Sequence, residues 1–267
     1  MERNYNRIEL EKEERVDDTG FGGLKLVQRP DEFCYGVDAV LLASAAAESG
    51  AFRTIADLGA GTGVIPLILS HKTGAELIMG VEIQERSYRS AEKTIKINGL
   101  EGRVVVVQGD VSRLEELRKK INEAAGGRLK DGCFDTVTAN PPYTGDSKGL
   151  TNSTDAKMIA RHEVACTLED FFTAAAGLLK SKGHFFMIHR PARLVDIFSL
   201  GRKYGLEPKE IRMIRPDKKS SPSMVLVHMI RNGGAELKVV EDLFIRDGSG
   251  DYSREIEEIY EREKYQK

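Results

Sequence analysis

The sequence predicts a doubly wound α/β fold: a seven-stranded, mostly parallel sheet with an antiparallel edge strand and helices on both faces. Three observations lead there. After Arg53, short β-branched runs alternate with amphipathic windows of helical period. Two turn motifs, Asp57-Leu58-Gly59-Ala60-Gly61-Thr62-Gly63 and Asn140-Pro141-Pro142-Tyr143, each directly follow a run that reads as a buried strand. The 267 residues are 40% apolar, ordinary for a globular chain of one large or two small domains.

Taken in order, the β-branched runs place strands at 54–58, 76–81, 103–108, 134–139, 184–189, 207–214 and 223–231, with helices between them at 64–71, 84–98, 112–125, 168–179 and 192–204. Punctuation agrees: Asn98-Gly99 and Gly126-Gly127 follow helices as C-terminal stops, and Pro191 sits near a helix start. The last two strands are joined by a polar Pro/Lys/Ser loop with no room for a helix, so they should pair antiparallel at one sheet edge. Ahead of the sheet, Gly20-Phe21-Gly22-Gly23 reads as a turn into a short strand at 24–28, and residues 37–45 read as a helix packed on the sheet. After Asp247 the chain becomes Gly/Ser-rich and then a charged helix at 253–264. This divides the chain into an amino-terminal extension (1–50), the sheet domain (51–232) and a carboxyl-terminal tail (233–267). The polar stretch 144–161, which opens behind Tyr143, has the composition of a lid or binding loop.

A net charge of −2 argues against a protein that coats nucleic acid, yet residues 181–232 hold eleven basic side chains against four acidic, a local balance of +7 that can steer a polyanion. Cys34, Cys133 and Cys166 are far apart and lack CxxC spacing, so neither a disulfide frame nor a zinc site is expected, and no other metal site is indicated. The charged start has no apolar stretch behind it, and later apolar runs are too short to cross a bilayer. The expectation is a soluble, cytoplasmic protein with no membrane partner and an undetermined oligomeric state.

The glycine turn lets a bulky cofactor lie against bare backbone at the carboxyl end of a strand. A GxGxG alone also fits a nucleotide-dependent oxidoreductase. Three acids sharpen it. Asp57 ends the first strand of the sheet, where it can meet an ammonium and would repel a pyrophosphate. Glu82, at the end of the second, has the spacing of an acid that accepts both hydroxyls of a ribose. Asp110 follows the third, placed to receive an adenine amino group. S-adenosylmethionine offers all three donors. At Asn140-Pro141-Pro142-Tyr143, the Asn140 side-chain oxygen and the Pro141 carbonyl can each accept from a planar NH2 group, freeing its lone pair, while the prolines hold the backbone and Tyr143 offers a stacking plate.

With these two motifs in this order, the chain resembles class I S-adenosylmethionine-dependent methyltransferases that modify amino nitrogens, over roughly residues 20–232. A closer resemblance is to the bacterial tRNA (adenine-N6)-methyltransferases that modify the anticodon-loop adenine of a valine tRNA. It is carried by Phe33-Cys34-Tyr35-Gly36-Val37-Asp38-Ala39-Val40-Leu41-Leu42-Ala43, Ala160-Arg161-His162-Glu163, His189-Arg190-Pro191-Ala192-Arg193-Leu194 and Ser223-Met224-Val225-Leu226-Val227. The resemblance implies the Rossmann-like methyltransferase fold, a tRNA substrate, and a cofactor lined by Asp57, Gly59, Gly61, Gly63, Glu82, Asp110 and Asn140 and covered from the amino-terminal side by Asp38. It further implies that Asn140, Pro141, Pro142 and Tyr143 hold the target amine, and that Arg190, Arg193, Lys218 and Lys219 contact phosphates. Glutamine methylation of release factors, guanine-N2 methylation of ribosomal RNA, adenine-N6 methylation of DNA, and a non-catalytic RNA-binding module remain as alternatives.

Overall fold

A computed structural model of the chain describes residues 8–30, 35–50, 52–129, 133–143 and 166–262. The chain enters through an antiparallel hairpin, β1 (Arg15–Asp18) and β2 (Lys25–Gln28), followed by helix α1 (Val37–Glu48). The alternating part comprises β3 (Thr54–Leu58), α2 (Val64–Lys72), β4 (Leu77–Glu82), α3 (Glu85–Ile97), β5 (Val104–Gln108), α4 (Leu114–Ala125), β6 (Phe134–Ala139), α5 (Leu168–Leu178) and β7 (Leu179–His189). A 3-10 turn at Pro191–Arg193 and α6 (Leu194–Lys203) lead into β8 (Leu206–Arg215) and β9 (Met224–Arg231). The two-residue strands β10 (Lys238–Val239) and β11 (Leu243–Phe244) and the short helix α7 (Arg254–Ile259) follow.

The main sheet has the order β10-β8-β9-β7-β6-β3-β4-β5, with β11 also on β8. From β5 across to β7 all pairings are parallel, so the carboxyl ends of these strands share one edge of the sheet. The expected antiparallel hairpin forms, but the antiparallel strand is not at the edge. β9 lies between β7 and β8, antiparallel to both, which leaves β8 running in the sense of β7. The physical reason is the crossover: α6 carries the chain past one strand position before β8 begins, and the return through 216–223 fills the gap. A hairpin signal predicts the pairing without saying on which side of the first strand the second falls.

Among the described residues the sheet has nine strands rather than the expected seven, because β10 and β11 add in parallel along the outer side of β8, pairing Lys238 with Glu210 and Leu243 with Ile214. Strands of two residues carry no periodic signal. β7 also begins five residues earlier than its apolar run, across a bulge in which the register passes from Phe134↔Leu179 to Thr136↔His184 and Lys182 takes a left-handed backbone.

Helices cover both faces, and β7 shows the division. Phe185 and Met187 join the apolar cluster under α4, α5 and α6, whereas Phe186 and Ile188 join the one under α1 and α2. Ile256 of α7 is fully buried in this second cluster, so the terminal segment packs against the sheet domain as far as it is described. Its helix stops at Ile259 rather than near 264. Among the described residues, no helix is long and apolar enough to cross a membrane.

Candidate active site

The site grows from the shared carboxyl edge. Behind β3, Gly59, Gly61 and Gly63 have φ of +77°, +54° and +84°, the left-handed region that side chains disfavour. Gly59 and Ala60 both donate their N–H to the Val81 carbonyl at 2.9 Å, pulling the turn onto β4. This approach needs Gly80, where an added Cβ would stand 2.9 Å from that of Ala60. A Cβ at Gly61 would meet nothing within 4 Å, so the turn borders open space there.

Asp57 is fully buried at the end of β3. The Thr138 hydroxyl donates to its Oδ1 at 2.7 Å, while Oδ2 has no hydrogen-bond partner. Burial pushes the carboxyl up to about 7, against the Thr138 hydrogen bond and with help from the charge of Glu82. Glu82, also buried, accepts the Gly61 N–H at 2.8 Å and the Gln84 N–H at 2.7 Å, tying the glycine turn to the end of β4. Asp110 accepts from the backbone and hydroxyl of Ser112 at 2.8 and 2.7 Å and from the Cys166 thiol at 3.6 Å. Burial and the neighbouring Asp110 raise that thiol to about 12, which keeps it a protonated donor.

The second motif begins beside the first. β6 pairs with β3 so that Ala139 lies opposite Leu58, and Asn140 and Gly59 therefore leave adjacent strands together. Asn140 donates its Nδ2 to Asp38 Oδ2 at 3.0 Å. The Tyr143 hydroxyl reaches Asp38 Oδ2 at 3.1 Å and Asn140 Oδ1 at 3.2 Å, with Met224 Sδ at 3.9 Å. Burial, then Asp38, raises this phenol far above its ordinary range, so it stays a donor. Asp38 is buried in the first turn of α1, and its Oδ1 accepts the Ala39 N–H at 2.9 Å. A Cβ at Gly36 would stand 2.8 Å from that oxygen. Asp38, expected to cover a cofactor, thus meets Asn140 and Tyr143 through its Oδ2.

Tyr143 is itself held. The Arg190 guanidinium lies 4.8 Å over its ring, and His189 meets it edge-on at 5.4 Å. Burial, followed by the charges of Arg193 and Arg190, lowers His189 to about 4 and leaves it neutral, with Nδ1 accepting the Arg190 N–H at 2.8 Å. The tyrosine expected as a bare stacking plate therefore has one face under an arginine.

Of the expected phosphate contacts, Arg190 also donates to the Ser223 carbonyl at 3.1 Å, and Arg193 is paired with Asp196 at 2.6 Å. Lys218 and Lys219 are exposed in the loop from β8 to β9, at the same edge as the glycine turn. Three acids outside the window neutralise part of the local +7, Lys203 pairing with Glu169, Arg212 with Glu255 and Arg215 with Asp242, while Arg202 pairs with Glu207 inside it. Residues 144–161, His162 and Glu163 lie outside the described residues, as do Phe33 and Cys34. The residues alone do not point to Thr138, and Gly36 and His189 enter only within the segments that carry the resemblance.

The sequence profile of the methyltransferase small domain matches residues 24–195, well over half of the chain. The chain belongs to this family. A relative from Bacteroides thetaiotaomicron named tRNA1(Val) (adenine(37)-N6)-methyltransferase is 28% identical over 227 residues, covering 84% of this chain and 87% of that protein. One of the same name from Flavobacterium johnsoniae is 28% identical, covering 77% and 82%. Among solved structures, a predicted O-methyltransferase from Agrobacterium tumefaciens is similar with a TM-score of 0.64 and 25% identity, covering 84% of this chain and 95% of that one. The 16S rRNA N2 G1207 methyltransferase of T. thermophilus, solved with AdoMet and guanosine, shares the fold at a TM-score of 0.55 and 18% identity, covering 84% of this chain and 52% of that one. The family's match spans β2 to the start of α6, so the β8–β9 hairpin and α7 are added outside it.

Proposed function

We propose that this methyltransferase uses S-adenosylmethionine to methylate the exocyclic N6 of an adenine in tRNA, the anticodon-loop adenine of a valine tRNA. The observation that carries the reading is the adjacency of β3 and β6, which starts the glycine turn and Asn140 side by side at one sheet edge. The relatives named for this reaction over most of their length support the substrate.

The residues fit the cofactor on their own chemistry. A buried carboxylate oxygen without a partner, at Asp57, suits a cationic ammonium. Glu82, buried at the end of β4 and tied by backbone N–H groups to the glycine turn, has the acceptor chemistry that a ribose diol requires. Asp110 stands at the next strand end for an adenine amine, and Gly59, Gly61 and Gly63 keep the turn free of side chains. When bound, S-adenosylmethionine supplies an electrophilic methyl group.

The protein's part is to present the amine. Asn140 Oδ1 and the Pro141 carbonyl accept its two hydrogens, which draws the lone pair out of conjugation with the ring. Pro141 and Pro142 lock φ and hence the directions of these acceptors. Tyr143 borders the base, and Arg190, Arg193, Lys218 and Lys219 offer positive charge to the phosphates around it. Asn140→Ala should lower kcat on the order of 10²–10³-fold, measured as tritium transfer to tRNA. Transfer offered to tRNA, ribosomal RNA, DNA and release factor in parallel tests the substrate. Label confined to the protein pool would defeat the tRNA reading.

A further inference from the structure

We infer that Asp38 is a positioning residue that dictates which end of the Asn140 amide faces the target amine, and that it takes the Tyr143 hydroxyl when that amine arrives. The inference rests on the proposed role of Asn140 and assigns Asp38 to the acceptor side of the reaction rather than to the cofactor.

The argument is one of donors and acceptors. A carboxylate only accepts, so Asn140 must turn its NH2 toward Asp38 Oδ2, at 3.0 Å, and its carbonyl oxygen the other way. Without that partner the amide could rotate by half a turn and present a donor to an amine that needs an acceptor. Asp38 can impose this choice because it is itself held: it is buried in the first turn of a twelve-residue helix, with Oδ1 on the Ala39 N–H and Gly36 leaving room beside it.

The hydroxyl of Tyr143 has one hydrogen and two acceptors, Asp38 Oδ2 at 3.1 Å and Asn140 Oδ1 at 3.2 Å. The second is the oxygen that the target amine must use. Rotation about the C–O bond alone moves the hydrogen to Asp38 and clears Asn140 Oδ1, while the ring stays beneath Arg190. Asp38 thus gives the Tyr143 hydrogen somewhere to go, and the acceptor is covered until it is needed.

The test uses the full chain, S-adenosylmethionine and tRNA. Asp38→Asn retains the size but can offer either an oxygen or an NH2, so it no longer dictates the orientation of Asn140. It should lower kcat on the order of 10–100-fold, less than loss of Asn140 itself, while cofactor Kd by calorimetry stays within about twofold. In an Asn140→Ala background the same change should cost nothing further, since its effect runs through Asn140. In the wild-type protein without substrate, the Asn140 side-chain amide protons should exchange slowly with solvent by NMR, a readout that needs no variant to fold. An unchanged kcat, a loss expressed in cofactor affinity, losses that multiply in the double variant, or fast amide exchange overturns the proposal. Failure of the wild-type protein to label tRNA would instead overturn the substrate reading and leave the amide exchange to judge the Asp38–Asn140 contact.

Discussion

Asp57 is the residue whose burial asks most for a ligand. Its carboxyl is raised to about 7 by burial, which the single hydrogen bond from Thr138 opposes, while its other oxygen has no hydrogen-bond partner. Between its ordinary value near 3.8 and about 7, the folded protein keeps a proton that the unfolded chain has released. This group's contribution to stability is therefore greatest at low pH and is lost as pH rises through that window. A bound ammonium reverses the preference by favouring the carboxylate. Cofactor binding at pH 6 should then release up to about one proton, and affinity should rise up to about tenfold per pH unit until near 7. Calorimetry in buffers of different ionisation enthalpy measures both, and Asp57→Asn should abolish the release. Binding that is indifferent to pH would mean that no cation meets this carboxylate.

At the scale of elements, α7 is more than a charged tail. It brings Ile256 into the cluster beneath α1 and α2, and the turn behind it stacks Tyr260 on Phe21 at 5.8 Å and pairs Glu261 with Lys72 at 2.7 Å. The first turn of α1 carries Asp38, so packing α7 against that layer supports the helix from which Asn140 is oriented. Ile256→Ala should cost about 2–5 kcal/mol in urea unfolding. A loss below about 0.5 kcal/mol would show that the arm packs too loosely to matter. The sequence reads this segment as a charged helix because its Glu and Arg residues dominate six residues of helix, too short a window for an apolar stripe to emerge.

Over the whole molecule, charge is sorted by pairing rather than by position in the chain. Arg202, Lys203, Arg212 and Arg215 are engaged with carboxylates, whereas Lys218 and Lys219 stand exposed in the loop at the edge that holds the glycine turn. The double variant Lys218→Glu/Lys219→Glu should weaken tRNA binding and flatten the dependence of log K on log salt, by up to about two counterions' worth of slope. A control at Arg202, 69% exposed but paired with Glu207 on the far side of α6, should change little. Equal effects at both places would mean that the eleven basic residues act as a diffuse field. The alternation of β-branched runs with amphipathic helices, and the acids at successive strand ends, were legible because a parallel strand buried on both faces must announce itself as an apolar run and must stop where the backbone turns. Asp57, Glu82, Asp110 and Asn140 could therefore be placed at strand ends from the residues alone.

Contacts between residues far apart in the chain could not. Asp38 meets Asn140 across 102 positions, Thr138 meets Asp57 across 81, and the acids that quench the basic window come from α5, the β10–β11 region and α7. A parallel sheet with a glycine turn and an Asn-Pro-Pro-Tyr segment at its strand ends can be read from the order of residues, since local apolar period and backbone restriction are written residue by residue. The place of β9 inside the sheet, the clamp of Arg190 on Tyr143 and the hold of Asp38 on Asn140 arise only when the chain packs. Strand neighbours and side-chain partners depend on which distant surfaces pack together, and no local pattern encodes that choice.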